Sequence, residues 1–156
     1  MNTLILYKSK WGTTKQYAEW VHEAYPESDI ANIDDFDSKN LINYDTIVIG
    51  GRTYMGRIQI GKFLVSNWNM LKEKAVYLFS VGLVHPDKKE SKLSFEMIPE
   101  DIRNSLAGYI KIPGMVDHKK LNYLQKSLAK KHDNQPENVN KEAIQPIIDF
   151  LTRGSE

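Results

Sequence analysis

The chain has 156 residues, 41% hydrophobic and 26% charged, the composition of one soluble globular domain spanning residues 1–156 around a single substantial core. A formal net charge of +1 argues against a nucleic-acid partner at the level of the whole chain. The absence of cysteine excludes disulfides, thiolate metal sites, iron–sulfur clusters and thiol redox chemistry, so any redox function belongs to a bound cofactor. The apolar residues before Lys8 are too few for a signal-peptide core, and no run approaches the roughly 20 apolar residues of a spanning helix. A cytoplasmic location is expected.

Leu4-Ile5-Leu6-Tyr7 is a continuous apolar run, the pattern of a strand buried on both faces of a parallel sheet. From Thr14 the period changes: Tyr17, Ala18, Val21, Ala24 and Tyr25 recur at three and four residues, one face of an amphipathic helix ended by Pro26. A short strand follows at Ile30–Ile33, then the acidic turn Asp34-Asp35-Phe36-Asp37. Thr46–Gly51 is a second buried strand closing on a glycine pair, and Ile60, Phe63, Leu64 and Leu71 pattern a helix. Ala75–Val81 is a third buried strand closed by Gly82. Leu93–Leu106 reads as helix in pieces, broken at Pro99, before a last strand at Gly108–Ile112. Leu121, Leu124 and Leu128 pattern one terminal helix. Ile144, Ile147, Ile148 and Leu151 pattern another, with Pro146 in its first turn.

This alternation predicts a doubly wound parallel α/β sheet of five strands with helices on both faces. Ligands bind such sheets beyond the carboxyl ends of the strands, where the strand order reverses. Three loops leave such ends: Ser9–Thr14, Arg52–Arg57 and Gly82–Asp87.

In the first, Ser9, Thr13 and Thr14 supply hydroxyls, Gly12 allows close backbone approach and Lys10 adds a point charge. Next to a helix N-terminus this suits a phosphate. On the residues alone, an ordinary turn with a hydroxyl cap stands equally well. The G-x-x-x-x-G-K-(S/T) and G-x-G-x-x-G spacings of nucleotide loops are absent.

Ser9-Lys10-Trp11-Gly12-Thr13-Thr14 resembles the (S/T)-x-(S/T)-G-x-(S/T) phosphate loop of flavodoxins, which binds FMN, and it follows the first strand as that loop does. Trp11 departs from the pattern by replacing a hydroxyl, as in the flavodoxin-domain subfamily that includes menaquinone-linked protoporphyrinogen oxidases; its backbone N–H remains. The resemblance implies that Arg52, Thr53, Tyr54, Met55 and Gly56 pass the flavin edge, with Tyr54 against the ring and Met55–Gly56 as a peptide able to turn toward N5. The alternative is a strand-to-helix turn with an aromatic covering the sheet edge. Val81, Gly82 and Leu83 would meet the pyrimidine side through their backbone. His85 reads as solvated polar surface rather than as an acid–base group. Ile110–Asp117 and the stretch from Leu121 to Lys131 extend the likeness to that subfamily, whose oxidases carry a longer basic insertion there. Lys119, Lys120, Lys126, Lys130 and Lys131 form either a solvated helix face or a peripheral membrane contact.

The resemblance thus implies FMN and an oxidoreductase linked to a quinone or similar acceptor. The alternative is a flavodoxin carrying electrons between redox partner proteins, which a net charge of +1 fits poorly. A phosphoacceptor receiver fits less well, because Lys8-Ser9 and Gly50-Gly51 stand where its acidic residues belong.

Overall fold

The structure, a computed structural model, describes residues 2–10, 12–82, 86–114 and 139–154. Its strands are β1 (Thr3–Lys8), β2 (Asp29–Asn32), β3 (Thr46–Tyr54), β4 (Arg57–Ile58), β5 (Ala75–Gly82) and β6 (Gly108–Pro113). The helices are α1 (Thr13–Ala24), α2 (Gly61–Leu71), α3 (Lys89–Glu96), α4 (Glu100–Ser105) and α5 (Gln145–Gly154). Five strands pair in parallel in the order β2-β1-β3-β5-β6, and the two-residue β4 folds back antiparallel onto β3. The expected five-stranded doubly wound sheet is therefore present, with one short hairpin arm added.

Each central strand feeds two cores because successive side chains point to opposite faces. Leu4 and Leu6 of β1, Ile47 and Ile49 of β3, and Val76 and Leu78 of β5 pack against Leu64 and Leu71 of α2 and Ile102 of α4. Ile5, Val48, Tyr77 and Phe79 pack on the other face against Tyr17, Ala18 and Val21 of α1 and Ile147 and Leu151 of α5. This double burial explains why these strands read as unbroken apolar runs.

Two details depart from the sequence reading. The glycine pair does not end β3: Gly50 and Gly51 lie inside it, and three further residues continue the strand. The pair provides room. A Cβ on Gly50 would lie 2.0 Å from Phe79 Cζ, and one on Gly51 would lie 2.7 Å from Ile60 Cγ2. Pro99, expected to break a helix, divides α3 from α4 and occupies the N-cap of α4, where its missing N–H costs no intrahelical bond.

Tyr17 joins distant parts of the chain. Fully buried, it donates to the Pro113 carbonyl at 2.6 Å and accepts from the Asn140 N–H at 3.1 Å. The pattern of Leu121, Leu124 and Leu128 and the lysines Lys119, Lys120, Lys126, Lys130 and Lys131 lie outside the described residues, as do Trp11, Leu83 and His85. Among the described residues no helix is long and apolar enough to cross a membrane.

Gly50→Ala is expected to destabilise the fold by about 1–3 kcal/mol through overpacking. Urea unfolding should show a lower midpoint, partly restored by adding Phe79→Leu; an unchanged midpoint in the single variant would show that the ring does not need this space.

Candidate functional site

Because β1, β3 and β5 run parallel and adjacent, their carboxyl ends open on one edge. Lys8 pairs with Gly51, and Gly51 with Ser80, so the three exits lie side by side. β2 and β3 leave β1 on opposite sides, which puts the reversal of strand order at β1.

At the first exit, the backbone turns on Gly12, whose φ is +93°. The Gly12 N–H donates to Ser9 Oγ at 3.0 Å, leaving the Ser9 hydroxyl hydrogen able to point to a ligand. Gly12 is also the N-cap of α1, so no cap side chain covers the N–H groups that open the helix. Among the described residues a Cβ at Gly12 would meet no heavy atom within 4 Å. Thr13 begins the helix, Lys10 is exposed, and Thr14 is buried on the inner face of α1.

At the second exit the structure corrects the expected loop. Arg52, Thr53 and Tyr54 are strand, and only Met55 and Gly56 turn the chain before β4. β-Branched Thr53 and aromatic Tyr54 favour extended backbone. Met55 and Gly56 have φ of 51° and 76°, the positive pair that a two-residue type I′ hairpin requires. For glycine this is unstrained; for Met55 it is not.

The pleat then separates the side chains. Arg52 and Tyr54 share one face, with the guanidinium carbon 4.3 Å from the ring centroid. Partial burial pulls the Arg52 pKa below its ordinary value, and Tyr54 opposes that shift, yet at neutral pH the group stays a cation. Thr53 faces the other way, and its Oγ1 is buried with no hydrogen-bond partner among the described residues. A buried hydroxyl without a partner is rare in a folded domain.

At the third exit Val81 is buried in the core and Gly82 ends β5. The Gly114 N–H donates to the Gly82 carbonyl at 2.9 Å. A Cβ on Gly82 would meet Lys111 Cε at 3.2 Å, Lys111 Nζ at 3.4 Å and Thr53 Cβ at 3.4 Å. The second and third exits thus converge on one lysine of β6, which the sequence reading did not select. Its signal was present: a charge between Ile110 and Ile112 in an otherwise apolar strand.

A family model described as a flavodoxin domain matches residues 4–140. The chain belongs to the flavodoxin-domain family. No curated protein matches it in sequence. Among solved structures, a flavodoxin from the domain Archaea superposes with a TM-score of 0.55 at 18% identity, covering 86% of this chain and 100% of that one. The two-electron-reduced flavodoxin of Megasphaera elsdenii gives 0.56 at 17% identity over 72% of this chain and 83% of its own. A flavoprotein in complex with FMN from Lactobacillus acidophilus NCFM gives 0.50 at 21% identity, over 72% and 92%. These likenesses show the fold.

The residues present fit FMN. Its phosphate suits the uncapped start of α1 beside Ser9 and Gly12.

The hairpin tip can be tested without a ligand. Met55→Asn should stabilise the fold by up to about 1 kcal/mol, since Asn-Gly is a preferred type I′ pair. Gly56→Ala should destabilise it by about 1–2 kcal/mol from φ alone, because a Cβ there meets nothing within 4 Å among the described residues. Equal chemical-denaturation midpoints for both variants would contradict this turn geometry.

Proposed function

We propose that the protein binds FMN non-covalently across the three strand exits and uses it to pass electrons between redox partner proteins. The observation that carries this reading is the convergence on one sheet edge of an uncapped helix start beside the Ser9 hydroxyl and a positive-φ hairpin. FMN supplies the redox chemistry, taking up and releasing electrons at its isoalloxazine ring. Ser9, Lys10, the Trp11 backbone, Gly12, Thr13 and Thr14 hold the phosphate end. Arg52, Thr53, Tyr54, Met55 and Gly56 border the ring on one side and Val81, Gly82 and Leu83 on the other.

Tyr54 is 36% exposed and already stacked by Arg52, so it brings a preformed planar surface to the ring. Rotation of the Met55–Gly56 peptide changes ψ of Met55 and φ of Gly56, a movement that the glycine tolerates. It would turn the Met55 carbonyl into position to accept a hydrogen bond from a protonated N5. Lys8 pairs with Asp34 at 2.9 Å across the first exit, so the acidic turn is partly neutralised rather than a bare negative docking patch.

A second reading is a quinone-linked oxidoreductase similar to the protoporphyrinogen oxidases. It draws on one observation: Met55, 73% exposed, and Tyr54 give the rim of the site an apolar surface suited to a flat organic substrate.

The purified protein should contain FMN or take up one equivalent with quenching of flavin fluorescence. Riboflavin, lacking the phosphate, should bind at least about 100-fold more weakly, because the helix end and charge-assisted hydrogen bonds together contribute several kcal/mol. Failure to bind any flavin would remove both readings, and equal affinities would remove the phosphate anchor. The two readings separate on reoxidation of the reduced protein: an electron carrier should react with redox-protein acceptors and only slowly with a soluble quinone. Rapid turnover with quinone would favour the oxidase-like reading.

A further inference from the structure

The β3–β4 hairpin arm gathers positive charge around an aromatic ring. Tyr54 and Arg57 stand directly opposite each other in its ladder, and opposed residues carry their side chains on the same face. Arg52, two residues before Tyr54, shares that face, with its guanidinium carbon 4.3 Å from the ring centroid. A guanidinium laid on a ring keeps its N–H edge in position to grip a carboxylate bidentately. The Gln59 N–H donates to the Arg52 carbonyl at 2.9 Å, which ties the arm to its root, and α2 then opens with Lys62 in its first turn. No Asp or Glu occurs between Asp45 and Glu73. Among the described residues no carboxylate pairs with Arg52, Arg57 or Lys62.

Met55 stands at the tip of the arm, 73% exposed, on a backbone that Asn or Asp adopts more readily. A long apolar side chain held out on a strained turn and bordered by unpaired cations has the anatomy of an interface, an apolar centre with a charged rim. The other flank has the opposite sign. Asp34, Asp35 and Asp37 follow β2 on the far side of β1, all exposed, and Lys8 answers only Asp34. A partner with an acidic contact surface is drawn to the arm and turned away from the acidic flank.

We propose that the β3–β4 arm is the docking lip for an acidic redox protein, whose carboxylates pair with Arg57 and Arg52 while an apolar contact covers Met55. This rests on the electron-carrier reading above and names the chemistry of the partner. Docking there brings the partner to the side of Tyr54, at the rim of the flavin site.

The test uses two forms of one acceptor: cytochrome c, whose surface is basic, and cytochrome c with its lysines succinylated, whose surface is acidic. The FMN-loaded protein is reduced anaerobically with dithionite, desalted and mixed with each ferric form. Two ferric haems take the two electrons of one reduced FMN, which returns to the oxidised state and releases its N5 proton to water. The succinylated form should react faster at low ionic strength, and its rate should fall as salt is added. Arg57→Glu should slow it by about fivefold or more and Arg57→Gln by less, whereas Arg57→Lys should keep most of the rate. Lys72→Glu makes the same change in net charge at the far end of α2 and should leave the rate as it is. Equilibrium binding of the two ferric forms to the oxidised protein, measured by calorimetry, should follow the same order. A preference for native cytochrome c, a rate insensitive to charge, or equal losses in Arg57→Glu and Lys72→Glu would overturn the proposal. So would Arg57-dependent binding to phosphatidylserine vesicles with no preference for the acidic cytochrome, which would assign the arm to a membrane surface. A protein that takes up no FMN overturns the FMN reading, an outcome distinct from failure of the docking surface, which the binding measurement decides by itself.

Discussion

Parallel pairing of β1, β3 and β5 is the constraint from which the remaining architecture follows. Parallel neighbours cannot be joined by a tight turn; each return needs a crossover, and in this chain helices and turns on the two faces supply it. The same pairing sends every strand out at one edge, so residues far apart in the chain become neighbours there. Ser9, Thr53 and Gly82 owe their proximity to this and to no direct bond among them. The Gly50–Phe79 contact keeps the sheet closely packed just behind that edge.

Charge at this edge is organised differently from the overall balance of the chain. The net charge is only +1, yet Lys8, Arg52 and Lys111 all stand on strands that run to the site. Lys8 meets an exposed carboxylate, Arg52 lies over an aromatic ring, and Lys111 donates to the Ser91 hydroxyl among its contacts. The exposed Lys8–Asp34 pair contributes little to stability. Arg52 and Lys111 are less solvated, so salt screens their charges less.

The fold was legible because apolar runs and three-to-four spacing report burial directly. Leu4–Tyr7, Thr46–Gly51 and Ala75–Val81 announced the central strands, and Tyr17, Ala18 and Val21 the inner face of α1. The first exit was legible for a similar reason, since a hydroxyl-and-glycine turn between strand and helix is a local pattern. The second was not. Glycines commonly mark turns, but Gly50 and Gly51 answer to Phe79 and Ile60, partners that only tertiary packing reveals. That misplaced the end of β3 and hid the separation of Arg52 and Tyr54 from Thr53. Lys111 escaped notice because a lone lysine in an apolar strand gains meaning only once Gly82 and Ser91 are seen beside it.

The two bonds of the Tyr17 hydroxyl have a consequence for how this domain can diverge. Pro113 and Asn140 are brought to the same oxygen atom, so the two ends of this interval lie close together. A segment whose ends are pinned together can lengthen at small thermodynamic cost, since doubling a closed loop adds only about 0.6 kcal/mol of closure entropy. The interval between these residues is therefore a natural place for insertion, where new sequence could be gained or lost in descent while both cores and the three strand exits stay as they are.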